Sequence, residues 1–340
     1  MQAMPEAAPA AAAPSRSPNM RLQKAGKKSA DMLYVLFRYL LLAGISFIIL
    51  YPLLMKVSIA FKDKADIYNP TIYMIPVHFT LDNIRMAARI LDYAPLLGNT
   101  LLFAAATTAL TAASCALAGY GFARFPFPGS SVLFGLVILT ILVPTGTLMV
   151  PMYLNFRSFD PLGLVQLLTG KPGFNLLNTY WPSLIASATA IGLKAGLFIY
   201  IFRQFFKGMP KEIEEAALID GAGGLRTFAS IMMPNAVPPL ITVVLFSFVW
   251  QYNDTFFTSL FMNELKLMPT KISTLAAQAN MLIPGMLGTS AGGGAVKADP
   301  NHVAMIIDTG ILLAILPLVL LYLAVQRYFV ESVERSGIIG

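Results

Sequence analysis

The chain has 340 residues, 56% of them hydrophobic and 12% charged, with a formal net charge of +7. Its mean hydropathy of +0.68 is too high for an ordinary soluble domain, and several apolar runs reach the ~20 residues that a bilayer span requires. Strand-period alternation is absent from those runs, the spread of basic residues fits membrane topology better than nucleic-acid binding, and the single Cys115 allows no internal disulfide. The chain therefore reads as an all-α membrane protein.

Residues 1–30 are dominated by Ala and Pro, followed by Arg21, Lys24, Lys27 and Lys28. Such a stretch cannot bury a core and is expected to be a disordered N-terminal segment. The first apolar run is longer than a signal-peptide core and reads as a retained helix with a basic flank. Six spans follow in order: Leu33–Val57, Leu96–Gly119, Ser131–Tyr153, Ser183–Phe205, Ala236–Phe256 and Val303–Gln326. They make residues 31–330 one membrane domain, with 331–340 as a C-terminal tail. Pro52, Pro144 and Pro317 fall inside spans, where neighbouring helices can satisfy the freed carbonyls. Turn signals separate the spans at "FPFPG" (125–129), "KPG" (171–173) and "GMLGTSAGGG" (285–294). The Lys/Arg distribution favours both termini, and the loop at 206–235, on the cytoplasmic side.

That loop concentrates charge. Glu212, Glu214, Glu215 and Asp220 lie within nine positions and are followed by Gly221, Gly223 and Gly224. Pro210 suits a first helical turn, carboxylates favour the positive end of a helix, and the glycines end it. The resulting short helix carries small residues on one surface. It is either a capped helix at the membrane interface or a docking element.

Glu215-Ala216-Ala217, three residues, Gly221, nine residues, then Ile231-Met232-Met233-Pro234 resembles the EAA signature of ATP-binding-cassette importer permeases. Met233 replaces the usual leucine, a volume-conserving change. "LAGYGFARFPFPG" (117–129), "LVPTGTLMVPMY" (142–153), "LNTYWPSLI" (177–185) and "FSFVWQYNDTFF" (246–257) are similar to the carbohydrate-type subfamily, including the second membrane subunit of maltose permeases. The likeness extends over about residues 31–330. The tail departs from it, with Glu331 and Glu334 where relatives carry basic, glycine-rich sequence.

The resemblance implies a type I importer permease fold with six helices and a cytoplasmic coupling helix that docks on a separate ATPase. Glu214, Glu215, Ala216, Ala217, Asp220 and Gly221 are the implied coupling residues. It also implies a homologous permease partner, two ATPase subunits, an extracytoplasmic solute-binding protein and a sugar substrate, all at a bacterial inner membrane. ATP and Mg would be bound by the ATPase, leaving this chain without a cofactor and without bond chemistry.

The residues agree with that division of labour. "AGKKS" (25–29) lacks the earlier glycine of a Walker A loop, and "TGKPG" (169–173) has proline where Ser or Thr is needed. "GTSAG" (288–292) satisfies G-x-S-x-G around Ser290, but no strand precedes it, and a flexible loop is the better reading despite nearby Asp299 and His302. Two histidines and one cysteine, far apart, form no metal-ligand set. Lys194, Asp254 and Asp308 are ionisable residues in or beside spans, which makes them pathway candidates by default. Lys194, between Gly192 and Gly196, either snorkels or pairs structurally, or lines a path for an acidic or polyhydroxylated substrate. Asp254 reads as a cap at the end of span five. Trp250, Tyr252 and Asn253 complete the candidates, since aromatic rings there suit either sugar stacking or packing. The competing class is an ion-gradient-driven transporter, for which internal repeats and broken helices are the signature; no repeat is evident.

Overall fold

A computed structural model describes residues 18–286 and 299–337. The turn signal at 287–294, Ser290 included, and residues 1–17 and 338–340 lie outside the described residues. The principal helices are α1 (Pro18–Phe61), α2 (Asp82–Leu91), α3 (Tyr93–Arg124), α4 (Ser130–Leu142), α5 (Met149–Arg157), α6 (Trp181–Ala188), α7 (Ala195–Gly208), α8 (Glu212–Ile219), α9 (Val237–Asn253), α10 (Phe256–Phe261), α11 (Met268–Met286) and α12 (Pro300–Gly337). Among the described residues there is no sheet, only isolated bridges between Lys62 and Phe79 and between Phe159 and Phe174.

The chain divides into two compact units, residues 1–56 and 57–340. In the first, α1 begins at Pro18, inside the stretch expected to lack structure. Within Asp31–Phe61, an 18-residue window of mean hydropathy 2.2 has no buried residue, a length and composition that suit a bilayer span.

The second unit holds the helical core. Leu91, Leu96, Leu275 and Ile306 form one buried cluster from α2, α3, α11 and α12. Cys115, Phe198, Phe202, Phe206 and Val243 form another from α3, α7 and α9. Gly119 is what lets α3 and α7 approach: a Cβ there would stand 2.6 Å from the Phe202 Cβ and 2.9 Å from the Arg203 amide. Two buried threonines of α3 satisfy themselves locally, Thr100 Oγ1 donating to the Leu96 carbonyl at 2.7 Å and Thr107 Oγ1 to Phe103 at 2.8 Å.

Two of the expected spans are broken, and a third is entered through a bend. Span three bends by 105° between Ser130–Leu142 and Thr145–Arg157. Pro144 provides no N–H for the ladder and holds Val143 extended, at φ −69° and ψ 123°. Span five is entered through an 83° bend between Gly224–Asn235 and Val237–Asn253. Pro234 lies at that bend, just after a π-helical turn at Phe228–Met232. Span four is two helices, α6 and α7, separated by non-helical residues 189–194. The end of α6 closes as a Schellman motif, Ile191 N–H donating to the Ala186 carbonyl at 2.9 Å. Its left-handed residue is Ala190 at φ 55° rather than glycine, and α7 starts from a second one, Lys194 at φ 58°. Each costs about 1 kcal/mol relative to ordinary backbone.

Candidate functional site

Two parts of the second unit concentrate functional chemistry. One is the loop around α8. The helix starts at Glu212 from Lys211, so Pro210 stands just before it rather than in its first turn. Glu212, Glu214 and Glu215 occupy that first turn, where the helix dipole favours carboxylates. At the other end, Gly221 N–H donates to Leu218 and Ala222 N–H to Ala217, again a Schellman closure. Gly221 has φ 80°, which is why glycine stands there; its surroundings are open.

The acids of α8 divide between two faces. Tyr120 Oη donates to Glu214 Oε1 at 2.6 Å, and Arg124 Nε lies 3.5 Å from Glu214 Oε2. The Arg124 side chain is 4% exposed and that of Glu214 is 16% exposed, so this pair is screened from water. Arg124 also donates through Nη2 to the Met209 carbonyl at 2.8 Å. Tyr120 is enclosed by the rings of Phe125, Phe206 and Phe228, with centroids 5.1–5.5 Å away. These contacts clamp α8 to the ends of α3 and α7. Ala217 is buried in the same direction. Glu215, Ala216, Asp220 and Gly221 are exposed. Leu218, Ile219 and Leu225 are 53%, 85% and 75% exposed beside them. The implied set is therefore split: Glu214 and Ala217 are engaged within the chain, and the other four face outward with an apolar group.

The second part is a cavity of about 370 Å³ at the broken spans. Its walls come from the end of α4 and the turn after it, from α6 and the 189–194 break, and from the α9–α10 junction. Lys194, Ser183, Ser187, Gln251 and Asp254 are among its polar lining, with Phe257 and Phe261 adding aromatic surface. Asp254 caps the following helix rather than α9: its carboxylate accepts from the amides of Phe257 and Thr258, each at 3.2 Å. Gly196 lets this wall approach α4, since a Cβ there would stand 2.9 Å from the Val137 carbonyl.

Of the six pathway candidates, Lys194 and Asp254 line this cavity. Trp250 stacks between Phe198 and Phe246, at 5.6 and 5.5 Å. Tyr252 is buried and donates its hydroxyl to the Ala314 carbonyl at 2.8 Å. Asn253 is exposed and bonds back to Val249. Asp308 is half-buried on α12, away from the cavity lining. Sequence reasoning overlooked Ser183, Ser187 and Gln251. The signals were present: two serines at i and i+4 on one helix face, and an amide ending an apolar run. No group of three or more potential metal ligands exists among the described residues.

A helical bundle with broken spans, and with a short acidic helix clamped to one end of it, defines a polytopic membrane permease. The model of the family described as "Binding-protein-dependent transport system inner membrane component" matches residues 112–335, and the chain belongs to that family. It is 28% identical over 316 residues to the maltodextrin transport system permease protein MdxG of Bacillus subtilis, covering 92% of this chain and 99% of that one. A probable ABC transporter permease of Pyrococcus horikoshii is 30% identical over 244 residues, covering 72% and 73%. A solved bacterial ABC transporter for import of the acidic polysaccharide alginate shares the fold. There the TM-score is 0.69 at 20% identity, covering 93% of this chain and 100% of its counterpart.

Proposed function

We propose that this chain is one transmembrane subunit of an ATP-driven importer that carries a sugar or oligosaccharide, acidic ones included, across the cytoplasmic membrane. Its partners in this reading are a homologous permease, two ATPase subunits that hold ATP and Mg, and an extracytoplasmic solute-binding protein. The sugar class is supported by the near full-length likeness to a maltodextrin permease. The fold shared with an alginate importer is compatible with an acidic member of that class.

The observation that carries the coupling role is the two-faced α8. Its inner face is bonded to α3 through Tyr120 and Arg124, while Glu215, Ala216 and Ile219 present an acid, a small residue and a bare apolar group outward. A helix anchored in this way passes a push on its outer face to the spans as a rigid lever. ATP-driven closure of the ATPases would supply the push and alternate the cavity between outward- and inward-facing states. Both termini lie on the cytoplasmic side in this scheme, as the Lys/Arg pattern favours.

Broken spans also suit an ion-gradient carrier; family membership favours the ATP-driven reading. The test is reconstitution of the complete complex with Glu215→Lys or Gly221→Val. Both variants are expected to insert normally and to lose uptake together with transport-stimulated ATP hydrolysis. Normal stimulated hydrolysis in both, or substrate movement by the purified chain on an ion gradient alone, overturns the assignment.

A further inference from the structure

The cavity walls present polar side chains to its interior. Ser183, Ser187 and Gln251 are each more than nine-tenths buried. Their side-chain polar atoms are engaged by no other described residue, and none is among the fully enclosed polar atoms that lack a partner, so they open onto the cavity space. All three line the same cavity, from α6 on one side and the end of α9 on the other. Hydroxyl and amide groups left open on a concave wall are what a polyhydroxylated ligand needs, and Phe257 and Phe261 offer apolar surface to the faces of its rings.

Charge sharpens the ligand class. Two ionisable residues line the cavity, and they are not equivalent. Asp254 is occupied by the start of α10, accepting from two backbone amides and from Thr258 Oγ1. Lys194 has no ion-pair or hydrogen-bond partner for its ammonium among the described residues, and its backbone is held left-handed at φ 58°. A lysine kept in strained backbone at a break in a span, with its charge uncommitted, suits anion capture better than helix stability. The cavity, about 370 Å³, falls within the ~300–1,000 Å³ usual for small-molecule sites.

We propose that this subunit itself carries a substrate subsite in this cavity, in which Ser183, Ser187 and Gln251 take sugar hydroxyls and Lys194 pairs with an anionic group, so that the cargo is an anionic sugar. This rests on the sugar-importer reading and adds to it which subunit binds and what charge it selects. Carboxylate and phosphate groups would both satisfy the lysine.

Equilibrium dialysis tests the subsite on the detergent-solubilised complex of permeases and ATPases, with the solute-binding protein omitted so that its selectivity does not contribute. The labelled probes are a linear triuronate, a hexose phosphate and neutral maltotriose. The wild-type complex is expected to bind one of the anionic probes about tenfold more tightly than maltotriose, as a charge-assisted contact provides. Which anion binds better separates the carboxylate from the phosphate source. Lys194→Gln should remove that preference without changing maltotriose binding, Lys194→Arg should retain it, and Gln251→Leu should weaken all three probes. Equal binding of neutral and anionic probes by the wild type, or an unchanged preference in Lys194→Gln, overturns the subsite. ATP-driven uptake of maltotriose with no preference for anions would do so while leaving the sugar importer standing. Uptake of no sugar by the reconstituted complex would remove both.

Discussion

Neighbouring acids on one short helix do different work. Glu214 is held by Tyr120 and Arg124 under α8, whereas Glu215 is exposed. Removing the charge of Glu214 leaves a guanidinium that is 4% exposed without its counter-ion. Breaking such a pair from one side costs about 2 kcal/mol once the partial exposure of Glu214 is discounted. Glu214→Gln should therefore lower the melting temperature of the detergent-solubilised permease, and Glu215→Gln should leave it unchanged. The reverse order would mean that α8 is turned the other way. The signature spacing identified Glu215, but nothing in the spacing shows that Glu214 turns inward, because its partner Tyr120 lies 94 residues earlier.

A second residue-scale prediction concerns the loop at 62–81. Asp66 is buried, which by itself would raise its pKa, yet bonds from the His78 ring at 2.7 Å and from the His78 and Val77 amides hold it below the ordinary 3.8. A depressed carboxylate pKa contributes stability that is fully present above 3.8 and is lost as pH falls through the lower folded value. Limited proteolysis near exposed Tyr73 should accordingly stay constant from neutral pH down to about 3.8 and rise as pH falls from there through the lower folded value. Asp66→Asn should make the loop susceptible at neutral pH. Unchanged cleavage of Asp66→Asn at neutral pH would contradict the assignment.

At the scale of elements, the bundle depends on helices whose backbones approach closely at two glycines. Gly119 faces Phe202 and the Arg203 backbone, and Gly196 faces Thr140 and the Val137 carbonyl. A methyl group at either position meets backbone that cannot rotate away, an overpacking cost of about 1–3 kcal/mol. Gly119→Ala and Gly196→Ala should reduce thermal stability in detergent, while Gly121→Ala, with nothing within 4 Å, should not. Equal effects at all three would rule out α3–α7 and α4–α7 contact as the cause. Pro234 was read only as part of the signature, whereas Pro144 inside span three, and the positions of the three continuous and two bent spans, were legible from sequence. The break in span four was not. It depends on alanine and lysine taking left-handed backbone at 190 and 194, positions where sequence rules expect glycine.

At the scale of the molecule, the recognised signature and the broken spans meet in one scheme. The loop at 206–235 is anchored to α3, α3 packs on α7, and α7 begins at Lys194 on the cavity wall. The signature was readable because its spacing is local. The cavity was not, since it assembles polar residues from α6, the 189–194 break and the end of α9, and only tertiary packing shows which of them share a wall.

The central claim, that the outer face of α8 engages an ATPase, is tested most directly by cysteine cross-linking within the assembled complex. Cys115 is buried, so it offers little background to a surface reagent. Cysteines placed at Glu215, Ala216 and Ile219 should cross-link to the ATPase, with yields that change when ATP binds. A cysteine at Ala217 should not. Cross-linking at Ala217 with none at the other three, or no ATPase adduct from any position, would contradict the account.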